Sequence, residues 1–190
     1  MGALGLLRVE SLLEQLRRDI DLGGTTLRGG RQEVLRQTVF TTAKTLTVQE
    51  SGALILLDKN EATAIVLPAI GPSDIGVTFT FMQTVVSDLL RKITTAYNND
   101  YYVGGVTNLF DAAGDTDVAV QFVSAGATDT IITLGDNNLA NAGGGLGAIV
   151  TLTAVLEGNT AAGGGAKLVW AVTGNKVAQA ITDTGAAFFS

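Results

Sequence analysis

Between residues 51 and 81 the apolar positions come in short runs, 53–57, 64–67 and 77–82, separated by Asp58-Lys59-Asn60 and by Pro68-Ala69-Ile70-Gly71-Pro72. Runs of that length bounded by turn-forming residues predict strand, turn, strand, Pro-closed bend, strand. Strict alternation in Thr78-Phe79-Thr80-Phe81 and in Thr151-Leu152-Thr153-Ala154-Val155 predicts a sheet with one apolar face and one threonine-bearing, solvated face. The same grammar places further strands at 45–48, 93–96, 101–103, 118–123, 131–134, 148–156 and 167–172, while 87–92 reads as a short helical turn. The fold class expected is mainly β, a single β-sandwich or barrel-like domain. Tyr97, Tyr101, Tyr102 and Trp170, in or beside these strands, are read as core or cross-strand partners.

The first residues follow a different period. Leu6, Val9, Leu13, Leu16 and Ile20 are spaced 3-4-3-4, with Arg and Glu on the flanks, Leu12 widening the stripe and Gly23-Gly24 as a stop. That is a helical seam of about two heptads, too short to stand alone in water. It has to pack on its own body, on sister copies or on another protein. Residues 23–44 follow as an extended or partly ordered arm, with a surface-hugging loop as the alternative, broken by Gly23-Gly24 and Gly29-Gly30 and charged by Arg28, Arg31 and Arg36, with apolar character returning at Val39-Phe40. The chain therefore divides into an N-terminal helix and arm, residues 1–44, and a β domain, residues 45–190. Leu6, Val9, Leu13, Leu16, Ile20, Arg28, Arg31, Arg36 and Phe40 are the candidate partner-binding residues.

Composition narrows the classes. With 46% hydrophobic and 16% charged residues, 190 residues can bury a real core, and 24 glycines favour short strands and tight turns over a helical bundle. Cysteine and histidine are both absent, which excludes disulfides and thiolate metal sites and removes the commonest general base. Residues 1–44 hold seven Arg/Lys and five Asp/Glu, a net of +2. Residues 45–190 hold five against thirteen, a net of −8, and the two sum to −6. A −8 domain repels phosphate backbones, so no nucleic-acid partner is expected. Arg8, Glu10, Glu14, Arg17 and Arg18 interrupt any secretory h-region and no 18-residue apolar run occurs, so neither export nor a membrane span is expected.

Tests for resident chemistry find no motif. A Ser-His-Asp triad is impossible without histidine. Gly145-Leu146-Gly147 lacks the third glycine of a dinucleotide fingerprint, and Gly163-Gly164-Gly165-Ala166-Lys167-Leu168 lacks the spacing of a phosphate loop. Asp111, Asp115 and Asp117 cluster on one turn but do not match a calcium loop, and a solvated inter-strand loop is the favoured reading. No cofactor, metal or catalytic residue is assigned. The Gly/Asn-rich segments around 137–145 and 163–165 read as long loops, and Phe188-Phe189 at the tail are expected to dock on this chain or a neighbour.

One phrase carries a resemblance: Leu46-Thr47, Ser51-Gly52, Leu56-Leu57-Asp58, Ile65-Val66-Leu67-Pro68-Ala69 and Gly76-Val77-Thr78-Phe79-Thr80-Phe81, followed late by Lys167-Leu168-Val169-Trp170-Ala171-Val172-Thr173-Gly174. Over 46–174 it resembles a recurring β domain of tailed-bacteriophage virion proteins, notably capsid decoration (cement) proteins. The resemblance implies a non-enzymatic protein assembled in the host cytoplasm and resident on the virion's capsid surface. It further implies bridging of subunits of the major capsid protein, and self-association around local symmetry axes as a homotrimer. The N-terminal helix and arm lie outside the family's pattern, and 87–100 is longer and more polar than that pattern has it. A phage tail, adaptor or fibre-base protein is the alternative within virions. A carbohydrate-binding β module, for which Tyr97, Tyr101, Tyr102 and the loop aspartates matter, is the alternative from another class.

Overall fold

Alternation becomes burial in the computed structural model. Strand β7 (Thr78–Gln83) sends Phe79, Phe81 and Gln83 inward and Thr78, Thr80 and Met82 outward. Strand β12 (Ile149–Leu156) does the same, burying Val150, Leu152 and Ala154. The described residues are 20–21, 26–27, 34–36, 43–87, 89–97, 100–110, 118–124, 129–135, 145–156, 168–178 and 189.

The chain forms two units, Met1–Glu33 and Val34–Ser190. In the first, the described residues are β1 (Ile20–Asp21) and β2 (Thr26–Leu27), an antiparallel pair with Ile20 opposite Leu27. The predicted seam lies outside the described residues except for Ile20, which is in a strand and not in a last helical turn.

In the second unit, two open mixed sheets share one apolar core, as expected for a sandwich, and neither closes into a barrel. One sheet has seven strands in the order β10-β9-β13-β12-β7-β5-β3 and the other four, β11-β8-β6-β4. The remaining strands are β3 (Val34–Arg36), β4 (Ala43–Thr45), β5 (Leu54–Leu57), β6 (Thr63–Val66), β8 (Arg91–Thr94), β9 (Tyr102–Phe110), β10 (Val118–Val123), β11 (Ile131–Leu134) and β13 (Leu168–Ala178).

From β3 to β8 the chain alternates between the sheets, so β3, β5 and β7 run parallel in one and β4, β6 and β8 run parallel in the other. Val34 aligns with Leu54, 20 positions on, and Leu54 with Thr80, 26 positions on. The segment therefore winds as a flat coil that lays one strand in each sheet per turn. Its corners are the turns visible in the sequence. Gly52 takes φ 83°, and Ser51 Oγ accepts the Thr78 N–H at 3.1 Å, tying one turn of the coil to the next. At the Pro72–Asp74 3-10 turn, Asp74 Oδ2 accepts the Gly71 N–H at 2.7 Å, an acidic side chain satisfying a donor that the turn leaves open.

The second unit begins at Val34, so β3 and β4 fall within residues 23–44, read above as the arm. Two local expectations need correction. Val48–Glu50 is a 3-10 turn and not the end of a strand. Arg91 and Lys92 open strand β8 and do not close a helical turn.

Candidate assembly surfaces

Trp170 is fully buried with its ring 6.0 Å from Phe79. Tyr101 and Tyr102 are 5% and 0% exposed, so neither face is available to stack on a sugar. Tyr97, 62% exposed, is the accessible tyrosine. Phe189 docks on its own chain: it bridges Ile132 of β11, lies 6.3 Å from the Tyr102 ring and packs on the core.

Several polar groups are buried inside the unit, and one of them joins its two sheets. Tyr102 Oη donates to the Ile93 carbonyl at 3.0 Å, and burial pushes the phenol well above its ordinary pKa. The Ser124 hydroxyl lies 2.6 Å from the Tyr102 carbonyl oxygen and 2.8 Å from Asp129 Oδ2, two acceptors for its one proton. Arg91, 1% exposed, donates through Nη2 to the Lys59 carbonyl. Burial lowers its pKa to about 10, partly opposed by the Asp58 carboxylate. Such groups fix layer spacing and turn geometry, since a buried donor needs its acceptor. Asn108 and Lys176, partners across β9 and β13, are likewise buried, and neither amide atom of Asn108 has a hydrogen bond. None of this was legible from apolar periodicity, which passes over charged residues whose stems fill a core.

The outward face of the seven-stranded sheet is uncharged at its centre. Thr78 and Thr153 face each other with hydroxyls 3.2 Å apart, as do Thr80 and Thr151. Half-buried Leu54, Leu56, Met82 and Ile149 flank them. On the same face Leu109 of β9 is 42% exposed.

Two of the candidate partner-binding residues fall in described strands. Ile20 is in β1 of the first unit and Arg36 in β3 of the second. Leu6, Val9, Leu13, Leu16, Arg28, Arg31 and Phe40 lie outside the described residues, as do Asp111, Asp115, Asp117 and the Gly163 cluster. In the four-stranded sheet, β4 carries Lys44, whose Nζ is 2.7 Å from Glu50 Oε1. Glu50 Oε2 also accepts the Thr47 N–H at 2.8 Å. Burial works upward on this carboxyl, but Lys44 and Thr47 outweigh it and hold it below its ordinary value.

Among the described residues no three His, Cys, Asp or Glu side chains converge as a metal site, and no helix is long and apolar enough to cross a membrane. Comparison with family models and with curated proteins finds no match to this chain.

Proposed function

We propose that the chain is a non-enzymatic virion component of a tailed phage, a decoration protein that binds the outer surface of the head and stabilises it by bridging subunits of the major capsid protein. The observation that carries this reading is where the phage-like phrase falls. Leu46, Leu57, Ile65, Leu67, Val77, Phe79 and Phe81 are all core residues of the wound segment, and Ser51 and Gly52 form its corner. The resemblance thus rests on the parts that make a rigid scaffold. The Tyr102 hydroxyl joins the two sheets and Arg91 holds the turn at Lys59, which suits a passive shell part.

On this reading a decoration protein binds only the assembled shell, and so adds its binding free energy to that state alone. Residues 1–33 are the anchor and Val34–Ser190 the body. The boundary at Val34 decides where a truncation should begin, because removing residues through 44 also removes β3 and most of β4. Deletion of residues 1–33 is expected to leave a cooperatively melting β protein that no longer co-sediments with heads. A folded truncation that still saturates heads contradicts the anchoring role.

A further inference from the structure

The two sheets present four edges, and three are guarded. β3 is three residues long and ends in Arg36; β4 is three residues long and carries Lys44. β11 is four residues long and is crossed by Phe189. Short length, charge and a covering segment are the means by which natural sheets block edge pairing. β10 has none of them among the described residues. It is six residues, Val-Ala-Val-Gln-Phe-Val, with no charge and no proline, at the end of the seven-stranded sheet.

Which of its main-chain groups face away from the sheet follows from the ladder. Val118 pairs with Phe110 and Val123 with Gly105 in an antiparallel register, and the Ser124 N–H donates to the Gly104 carbonyl at 2.9 Å. Hydrogen-bonded and non-hydrogen-bonded pairs alternate in such a ladder. Val118, Val120 and Phe122 therefore turn their N–H and C=O groups to β9, and Ala119, Gln121 and Val123 turn theirs outward. The three outward residues are centred on Gln121.

We propose that β10 is a self-association edge, at which a second copy of this chain pairs antiparallel about a two-fold axis through Gln121. That axis sets Gln121 against its own counterpart and Ala119 against Val123 of the other copy. Three pairs exchanging two bonds each make about six main-chain hydrogen bonds and carry the sheet across the interface. A second copy fits this edge on charge as well. The unit from Val34 holds seven Arg/Lys against thirteen Asp/Glu, so copies repel at long range and meet best along an uncharged strand. The inference rests on the edge alone and stands or falls separately from the virion reading, whose resemblance implies a homotrimer and not a two-fold pair.

The test is the mass of the full chain in solution by sedimentation, for the natural sequence and three variants at exposed Gln121. The natural chain is expected to form dimers or larger even-numbered assemblies. Gln121→Pro removes an outward N–H and leaves the β9 ladder intact, a position where an edge strand tolerates proline, and is expected to give monomers with an unchanged circular dichroism spectrum. Gln121→Lys and Gln121→Glu each place like charges opposite one another and should weaken pairing about fivefold or more. Mixing the two in equal amounts should restore it. A natural chain that stays monomeric into the high micromolar range overturns the proposal. So does a trimer, or any assembly indifferent to all three substitutions.

Discussion

The Tyr102 hydroxyl, on the seven-stranded sheet, donates to the Ile93 carbonyl on the four-stranded sheet at 3.0 Å, and the tyrosine is fully buried. This bond ties β9 of the seven-stranded sheet to β8, the last strand of the wound segment. Tyr102→Phe is expected to cost about 1–2 kcal/mol, read as a lower denaturation midpoint with an unchanged m-value.

The same residue sets an alkaline limit. The folded pKa is raised above the ordinary 10.0, so the folded state holds the neutral phenol while the unfolded chain ionises. The stability Tyr102 contributes is fully present below pH 10 and declines as pH rises above it. Tyr102→Phe should flatten that decline, as measured by urea titrations at stepwise alkaline pH.

Gly104 and Gly52 both take positive φ, 102° and 83°, yet alanine should act differently at the two. A Cβ at Gly104 meets the Val172 carbonyl oxygen at 2.5 Å, while at Gly52 nothing lies within 4 Å. Gly52→Ala costs only backbone strain, about 1 kcal/mol. Gly104→Ala adds a clash with the main chain of β13 and should cost about 3 kcal/mol. Thermal melts of the pair separate the two effects.

Glu50 is held below its ordinary pKa of 4.5, so the stability it contributes is present above pH 4.5 and is lost as pH falls through the folded value. Lys44 and Glu50 retain about a fifth of their side-chain exposure, so Glu50→Gln should cost only about 0.5 kcal/mol at neutral pH. The difference from the natural chain should vanish toward pH 3.

Arg91 and Lys92 are adjacent, the first buried and the second exposed. Arg91→Ala leaves the Lys59 carbonyl and the Asp58 carboxylate without their cation and opens a hole, at about 3 kcal/mol. Lys92→Ala should stay within about 0.5 kcal/mol. Equal effects in chemical denaturation contradict the burial of Arg91.

Strands with a clean two-residue period are legible in the sequence, as at Thr78 to Phe81 and at β12, and so is the core placement of Tyr102 and Trp170. Two strands run longer than their apolar pattern suggests, because glycine looks like punctuation. Gly104 lies within β9 and Gly174 within β13, where a side chain would strike the neighbouring main chain at 2.5 Å and 2.2 Å. β3 and β4 are hidden in a connector rich in Gly and Arg, since their pairing is supplied by β5 and β6 and not by local propensity. The parallel winding is not legible at all: its turns differ in length, 20 and 26 residues between aligned positions in the seven-stranded sheet, so no repeat shows. That β10 stands last in its sheet among the described strands is equally invisible, because a strand's run of apolar residues does not say whether one neighbour pairs with it or two.

The most direct measurement is the number of copies of this chain per purified phage particle, by quantitative mass spectrometry against the major shell protein. A decoration role predicts a copy number comparable with that of the shell protein. A handful of copies, as at a tail or portal, or absence from the particle, contradicts it.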